Sequence, residues 1–252
     1  FSMGAKYVVA VPTDVTEVEK RAFFDLVVHS AAKAKEVSIV ERALAQGIGL
    51  GIDVKQTRGI MIVDLGAETT EISVVAMGGL VLNKMLKIGG TTMDNAISHL
   101  VRRRYDFLIG QLTSEMLRRR FGIFGGDSGT SMSVAGRNLL TGVPQQIEVP
   151  ISLVRAAIRD PLAECVSNIQ MMLDRTPPEV LRAIQKNGIY LVGGLSNLPG
   201  LSRYIEEALG YPVQVTRRPE ICTVEGLSKI MTSKEWKSLT YSMLDDRYRW
   251  LR

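Results

Sequence analysis

Residues 59–76, GIMIVDLGAETTEISVVA, contain the pattern that decides the fold. The apolar run at 59–63 predicts a buried strand, and the run at 71–76 predicts a second one. The polar, glycine-containing stretch at 64–70 predicts the turn that joins them. A further glycine turn and an apolar run at 80–86 extend the pair into a three-stranded meander.

The sequence on both sides of the meander alternates between strand and helix patterns. Upstream, a strand over 6–11 is followed by a capping box, Thr16 to Glu19, which begins a helix. A short strand over 37–40 precedes the alanine- and glycine-rich segment 41–51. The glycines of this segment predict close helix packing rather than a dinucleotide loop. Alternation of this kind predicts an α/β fold.

The alternation continues downstream of the meander. A glycine- and serine-rich stretch at 122–136 predicts a hairpin or loop. Pro161 predicts a kink in the long helix over 152–173, or the start of a second helix. Thr176 is predicted to cap the next helix, which begins with two prolines. The remaining predicted elements are helices over 92–105 and 201–209, strands over 189–192 and 212–216, and terminal helices within 223–252.

The composition limits the classes of protein to which the chain can belong. Of its 252 residues, 46% are hydrophobic and 23% are charged, so it can bury a core without disulfides or metals. The net charge of +5 suits an anionic partner, although scattered solvated lysine and arginine are the simpler explanation. Two distant cysteines and two histidines argue against a disulfide framework, a zinc site and histidine-based catalysis, and they suit a reducing cytoplasm. The abrupt start in a strand leads us to expect further sequence upstream.

The first candidate binding element is the turn between the first two strands of the meander. Asp64 ends the first strand, and residues 66–70 add exposed N–H groups and two hydroxyls. Such a turn can cradle phosphate, and an aspartate there can hold a magnesium-bound water. An ordinary polar hairpin turn is the alternative interpretation of the same residues.

Two glycine pairs, Gly89-Gly90 and Gly193-Gly194, mark further strand-to-helix junctions. Paired glycines let a ligand approach the backbone closely, and a helix N-terminus favours anions. Each junction alone is a common feature. The presence of three such junctions in one chain is the stronger indication of a binding site.

Other motifs are interpreted as structural. The stretch 126–129, Gly-Asp-Ser-Gly, is similar to a serine-protease nucleophile loop, but the chain has few histidines and no all-β pattern. The basic runs 102–104 and 118–120 lack interleaved aromatic residues and predict solvated helix faces, with a nucleic-acid or lipid surface as the alternative. No nucleic-acid partner is therefore expected.

Taken together and in this order, the motifs resemble the MreB cell-shape family within the actin, sugar-kinase and chaperone ATPase superfamily. The resemblance covers about residues 6–230. The matching stretches are Val11-Pro12, Thr16 to Ala22, Ile48 to Gly51, Val63 to Gly66, Thr69 to Glu71, Gly78 to Val81, Gly89-Gly90, Met93-Asp94, Gly136 to Leu139, Thr141 to Pro144, Thr176 to Glu179, Gly193-Gly194 and Gly200-Leu201. It implies an actin-like (ribonuclease H-like) α/β fold with two lobes around a nucleotide cleft, the first lobe being incomplete in this chain.

By the same resemblance the chain divides into predicted segments. Residues 1–51 would form the remainder of the first lobe. Residues 52–91 and 156–225 would form the core of the second lobe, and residues 92–155 its insertion subdomain. Residues 226–252 would form C-terminal helices.

The resemblance also implies roles for single residues, with ATP or ADP and Mg²⁺ as cofactors. Asp64 corresponds to a catalytic position that holds a magnesium-bound water. Gly89 and Gly90 would lie near the ribose, and Gly193 to Leu195 would form the adenosine loop, where Leu195 replaces a glycine. The predicted nucleotide-binding residues are Gly66, Ala67, Glu68, Thr69, Gly89, Gly90, Arg118, Gly193, Gly194 and Leu195.

Several positions depart from the family pattern. Ala67 and Glu68 replace two glycines of the phosphate loop, where a glutamate adds negative charge and suits a positive-φ turn poorly. The water-orienting glutamate aligns with Arg42, although a shift of one residue would supply Glu41 as the catalytic residue. Thr91 replaces an aspartate, and the first phosphate loop would lie upstream of residue 1. These departures predict weakened or altered ATPase chemistry, and a pair between Glu68 and Arg42 is a hypothesis that a distance can test.

The function implied by the resemblance is that of a filament-forming cytoskeletal protein of the cytoplasm. Wall-synthesis proteins would be its partners, and a peripheral position on the inner face of the membrane is a further expectation. The membrane-insertion loop maps near Phe1 and Met3, and the basic tail at 247–252 could contact lipid or a partner. The alternatives are a non-polymerising actin-fold scaffold and a small-molecule kinase, for which we find no catalytic aspartate base.

Overall fold

The computed structural model describes residues 4–31, 33–123 and 129–244. In this part of the chain, ten strands form three sheets and eight α-helices pack around them. The strands are β1 (Ala5–Val11), β2 (Ala34–Glu41), β3 (Ile60–Leu65), β4 (Thr70–Ala76), β5 (Gly79–Leu86), β6 (Phe107–Leu108), β7 (Ser131–Asn138), β8 (Pro144–Pro150), β9 (Ile189–Val192) and β10 (Val213–Val215). The helices are α1 (Glu17–Val28), α2 (Arg42–Gly49), α3 (Gly90–Tyr105), α4 (Gln111–Phe121), α5 (Ile151–Arg175), α6 (Pro178–Asn187), α7 (Leu201–Leu209) and α8 (Cys222–Thr232).

The central sheet contains the predicted meander and has the strand order β10-β9-β3-β4-β5. β3 pairs antiparallel with β4 and parallel with β9. The parallel register sets Asp64 beside Val192, the last residue of β9. The loops that follow β3 and β9 therefore leave the same edge of the sheet, which is where open α/β sheets bind ligands.

Two hydrophobic clusters lie on opposite faces of β3. Met61 and Val63 pack into a large cluster with α3 and α5, whereas Ile60 and Ile62 pack into a second cluster with α2 and α8. A strand covered on both faces is apolar throughout, and this explains why its sequence does not alternate.

Glycines allow α2 and α8 to pack with their backbones in close contact. A Cβ atom on Gly226 would lie 1.8 Å from the carbonyl oxygen of Ala45, and one on Gly49 would lie 2.2 Å from that of Cys222. The prediction that the glycines of 41–51 serve helix packing is confirmed.

The two smaller sheets flank this core. β1 and β2 form a parallel pair, and Phe24 of α1 packs against this pair in a third cluster. The Thr16 capping box that begins α1 is confirmed. β6, β7 and β8 form an antiparallel sheet whose buried residues join the large cluster.

Three predictions at the ends of elements are corrected. The stretch 122–136 is not one loop, because β7 begins at Ser131 and pairs antiparallel with β8. Pro161 does not start a second helix, because α5 continues through it and packs its apolar face into the same core on both sides, and the predicted kink stays a prediction. Thr176 does not cap α6, because its hydroxyl donates to the carbonyl oxygen of Met172 at 2.7 Å and so completes the end of α5.

Some predicted features lie outside the described residues. These are Phe1 and Met3, most of the 126–129 motif and the basic tail at 247–252. The four segment boundaries also stay predictions.

We expect Gly226→Ala to destabilise the chain by about 1–3 kcal/mol, because a methyl group has no room between α8 and α2. A Cβ atom on Gly129 would meet no atom within 4 Å, so Gly129→Ala is the control and should change stability by less than about 0.5 kcal/mol. Urea unfolding followed by circular dichroism measures both variants. Equal stability of the two would contradict the close packing of α2 and α8.

Candidate functional site

The start of α3 holds the turn after β3 in place. Within the turn, the N–H of Gly66 donates to the carbonyl oxygen of Thr69 at 2.9 Å. The N–H groups of Gly90 and Thr91 donate to the carbonyl oxygens of Gly66 and Ala67 at 3.1 and 2.8 Å. The first N–H groups of a helix have no intrahelical partners, so those of α3 are free to hydrogen-bond to the turn.

Two glycines let the three predicted junctions come together. A Cβ atom on Gly89 would lie 2.4 Å from the carbonyl oxygen of Ala67, and one on Gly193 would lie 2.4 Å from Oδ1 of Asp64. Gly193 also has a φ of +84°, which side chains strongly disfavour. The loops after β3 and β9 and the start of α3 therefore touch through backbone atoms.

A cavity of about 810 Å³ opens between these junctions, within the size range of small-molecule sites. The predicted nucleotide-binding residues that line it are Gly66, Ala67, Glu68, Gly90, Arg118, Gly194 and Leu195. The other three, Thr69, Gly89 and Gly193, do not line the cavity. They make the hydrogen bond and the close backbone contacts that position its loops. The lining residues that the sequence did not indicate as binding residues are Thr91, Asp94, Gln111, Glu115, Arg119, Asn197, Leu198 and Glu220.

The charged side chains of the cavity are more acidic than a phosphate site would suggest. The acidic ones are Glu68, Asp94, Glu115 and Glu220, and the basic ones are Arg118 and Arg119. Arg118 is paired with Asp94, and Arg119 with Glu115 at 2.6 Å. Within the described ranges, the lining thus offers no unpaired cation to a phosphate. Backbone N–H groups of the turns are the remaining donors that could hold one.

Arg118 and Asp94 form a buried, two-pronged ion pair between α4 and α3. The Arg118 Nε donates to Oδ1 of Asp94 at 2.7 Å, and Nη2 donates to Oδ2 at 3.1 Å. The two side chains are only 8% and 5% exposed. The guanidinium also lies against Gly90, where a Cβ atom would be 3.0 Å from Nη2. Arg118 therefore shapes the wall of the cavity, and its contact with a nucleoside stays a prediction.

Glu68 is held by Thr91, whose hydroxyl donates to its Oε1 at 2.8 Å. The hypothesis that Glu68 pairs with Arg42 is wrong, because the guanidinium of Arg42 contacts other carboxylates, described next. The expectation of a positive-φ turn is wrong too. Among the described residues, the non-glycine residues with positive φ lie elsewhere, so Ala67 and Glu68 adopt ordinary backbone angles.

Asp64 ends β3 with only 16% of its side chain exposed. The amide of Gln46 donates to Oδ2 at 2.7 Å, and Nη1 of Arg42 lies 3.8 Å from the same oxygen. Burial raises the pKa of Asp64, and the hydrogen bond from Gln46 and the charge of Arg42 oppose that rise. The carboxylate is therefore held inside the protein by α2.

Glu71 is a second buried carboxylate, with 3% of its side chain exposed. The N–H of Thr13 donates to Oε1 at 2.9 Å, and the Thr13 hydroxyl donates to the same oxygen. Nη1 of Arg42 donates to Oε2 at 3.2 Å. Burial raises the pKa of Glu71, against the opposing effects of Thr13 and Arg42. Arg42 thus bridges the carboxylates of Glu71 and Asp64.

The structure brings Arg42, rather than Glu41, against Asp64. The Glu41 carboxylate accepts hydrogen bonds from Lys20 at 3.0 Å and from the Tyr241 hydroxyl at 3.3 Å. Burial alone would lower the pKa of Lys20, but the hydrogen bond to Glu41 and its charge raise it. These contacts assign Glu41 a structural ion pair, and its catalytic role stays an untested prediction.

The side chains around Asp64 do not fit a magnesium-bound water. Oδ2 is engaged by Gln46 and Arg42, and Oδ1 faces the backbone of Gly193. Arg42 brings to this carboxylate the positive charge that a metal ion would supply. No group of three histidine, cysteine, aspartate or glutamate side chains that could hold a metal occurs in the residues that the structure covers.

Solved structures with the same fold define the class of protein. MreB5 of Spiroplasma citri bound to AMPPNP superposes with a TM-score of 0.87 at 25% identity, over 93% of this chain and 70% of that one. The MamK double helical filament superposes with a TM-score of 0.74 at 20% identity, over 90% and 69%. The predicted α/β, actin-like fold is confirmed.

Comparison of sequences identifies the family as well as the fold. Residues 2–238 match the model of the MreB/Mbl protein family, and the chain belongs to this family. It is 36% identical over 227 residues to the cell shape-determining protein MreB of Escherichia coli (strain K12), which is 90% of this chain and 65% of the relative's length. It is 31% identical over 231 residues to the cell shape-determining protein Mbl of Bacillus subtilis (strain 168), 91% and 69% of the two chains. In the described residues, no helix has the length and apolarity to cross a membrane.

We expect Asp94→Leu to destabilise the chain by about 3–5 kcal/mol, because it leaves the Arg118 guanidinium buried without a partner. The double variant Asp94→Leu/Arg118→Met removes both charges and should recover most of that loss. Urea unfolding of the two single variants and the double variant measures the coupling. A double variant as unstable as Asp94→Leu alone would show that the loss has another source.

We expect Asp64→Asn to raise the melting temperature at alkaline pH. Burial raises the pKa of Asp64 above its ordinary 3.8, so between these two values the folded chain binds more protons than the unfolded chain. The stability of the wild type therefore falls as the pH rises through this window, and the full cost is present above it. Asparagine carries no charge and escapes that cost.

The stabilisation by Asp64→Asn should shrink as the pH is lowered toward about 4, where the unfolded aspartate also takes up its proton. Differential scanning calorimetry at a series of pH values measures it. Asp160→Asn is the control, because the Asp160 side chain is 81% exposed. A gain that is independent of pH would contradict burial as its cause.

Proposed function

We propose that this chain is the nucleotide-binding part of a cytoskeletal protein that assembles into filaments and takes part in determining cell shape. The observation that carries the proposal is the convergence of three strand-to-helix junctions on one cavity of about 810 Å³. Membership of the MreB/Mbl family supports the same function. Two structural neighbours, both MreB5 of Spiroplasma citri, are bound to AMPPNP and to ADP.

The cavity has the parts that an adenine nucleotide requires. The N–H groups of residues 67–69 would bind phosphate oxygens, since the Gly66 N–H donates to Thr69 and the arginines of the wall are paired with carboxylates. Leu195 and Leu198 are apolar residues of the cavity lining, so they would contact the base. The predicted roles of Gly193 and Gly194 as the adenosine loop are retained in this proposal.

Slow or absent hydrolysis is part of the proposal. Arg42 occupies the position beside Asp64 that the family resemblance gives to a water-orienting glutamate. A guanidinium stays protonated at all ordinary pH values and cannot accept a proton from water. The nucleotide would therefore stabilise the filament by binding, and its hydrolysis would not drive assembly.

The cellular setting is proposed from the family. Filaments in the cytoplasm would position wall-synthesis proteins, which are the expected partners together with further copies of this chain. Contact with the inner face of the membrane stays a prediction, because Phe1 and Met3 lie outside the described residues.

A thermal melt with ATP, ADP or GTP tests the nucleotide site. Ligand at 100 times its dissociation constant should add about 2.7 kcal/mol of stability. Gly194→Leu is the blocking variant, because a Cβ atom there meets only Glu220, at 4.0 Å, and the added side chain would enter the cavity without a clash. Gly129→Leu is the control at an open position. A wild type that is not stabilised by any nucleotide, or a Gly194→Leu variant that is stabilised equally, would contradict the proposal.

Sedimentation and negative-stain microscopy test assembly. We expect the wild type to pellet as filaments with nucleotide and the Gly194→Leu variant to pellet less. Nucleotide binding without any assembly would favour the non-polymerising scaffold instead.

A further inference from the structure

Beside the cavity, α2 places a cation between two buried carboxylates. Nη1 of Arg42 lies 3.2 Å from Oε2 of Glu71 and 3.8 Å from Oδ2 of Asp64. Asp64 stands two residues before Gly66, which lines the cavity. The guanidinium is therefore at the end of β3 where the phosphate-binding turn begins.

The carboxylates of Asp64 and Glu71 also accept hydrogen bonds from other residues of the chain. Gln46 donates to Asp64 at 2.7 Å and to the hydroxyl of Thr223 at 3.1 Å, and Thr13 donates to Glu71. A divalent ion that approached Asp64 would have to displace the Gln46 amide and share the carboxylate with a guanidinium. Side chains and backbone of the chain itself thus supply a cation and hydrogen-bond donors to both carboxylates.

We propose that Arg42 is a built-in cation that replaces the divalent metal of this site, and that the chain binds its nucleotide without one. This inference rests on the proposed nucleotide-binding function. Arg42 offsets one of the two negative charges that Asp64 and Glu71 place beside the cavity, so the phosphates of metal-free ATP or ADP meet less repulsion. A metal ion would gain little at a carboxylate that is already paired.

Four variants separate the charge of Arg42 from its other contacts. Arg42→Glu restores the carboxylate that the family resemblance places there. Arg42→Gln removes the charge without adding a carboxylate, in case three neighbouring carboxylates prevent folding. Arg42→Lys keeps the charge. Arg203→Glu is the matched control, because it makes the same charge change on a side chain that is 71% exposed on α7.

The first measurement uses ATP. Dissociation constants are measured by calorimetry on the full 252-residue chain, once with excess EDTA and once with excess Mg²⁺. We expect the wild type, Arg42→Lys and Arg203→Glu to show ratios within about twofold, and Arg42→Glu to bind at least about tenfold more tightly with Mg²⁺. If Arg42→Glu does not fold, Arg42→Gln should shift in the same direction. A wild type that binds at least about tenfold more tightly with Mg²⁺ would overturn the inference.

The second measurement needs no nucleotide and so separates the two proposals. Mn²⁺ is added to the protein alone, and the free ion is followed by electron paramagnetic resonance. We expect the wild type and Arg203→Glu to leave the Mn²⁺ signal unchanged and Arg42→Glu to reduce it. Binding of Mn²⁺ by the wild type with no increase in Arg42→Glu would overturn the built-in cation. If ATP does not bind under either condition, the proposed nucleotide function fails, and the Mn²⁺ result alone decides the role of Arg42.

Discussion

The carboxylate of Glu71 is buried where the small parallel sheet meets the central sheet, and a buried charge must find partners inside the protein. Thr13, which follows β1, supplies an N–H and a hydroxyl, and Arg42 at the start of α2 supplies a cation. On the other side, the amide of Asn83 in β5 donates to the Thr13 carbonyl oxygen at 2.6 Å. These contacts tie β1, α2 and the central sheet together beside the apolar contacts of α2 with β3. Removing Thr13 or Arg42 would leave the buried Glu71 carboxylate without one of its partners. The loss of stability would exceed the stabilisation that an intact buried ion pair provides.

The departures from the family pattern compensate one another in pairs. Glu68 stands where the resemblance gives a glycine, and its carboxylate accepts a hydrogen bond from Thr91, which stands in place of an aspartate. An aspartate at 91 would set two carboxylates in contact, so the threonine suits the glutamate. In the same way, the Arg42 side chain brings a positive charge to Asp64, and the Gln46 amide hydrogen-bonds to the same oxygen. In both pairs the replacement residue has a hydrogen-bond or ion-pair partner within the chain.

The parts that sequence patterns predicted are those set by local chemistry. The strand at 59–63, the turn at 64–70 and the glycine pair at 193–194 each carry their signal in neighbouring residues, and the parallel pairing of β3 with β9 brings them together. Glu115 has no such signal, because it reaches the cavity only through the packing of α4 on α3. The contacts of the Arg42 side chain could not be predicted from neighbouring residues either. Its neighbours Asp64 and Glu71 are 22 and 29 positions away, counted from the residue numbers, and only the folded sheet brings them within reach.

A cation that belongs to the chain differs physically from a metal ion, because it cannot leave with the ligand. Arg42 contacts both Asp64 and Glu71, and Thr13, which follows β1, donates to Glu71. The junction between the small sheet and the central sheet is therefore stabilised independently of the contents of the cavity. Residues of the turn after β3, such as Ala67 and Glu68, are not among the contacts that hold this junction. That separation explains how the turn can lose two glycines of the family pattern while the sheet edge that supports it stays intact.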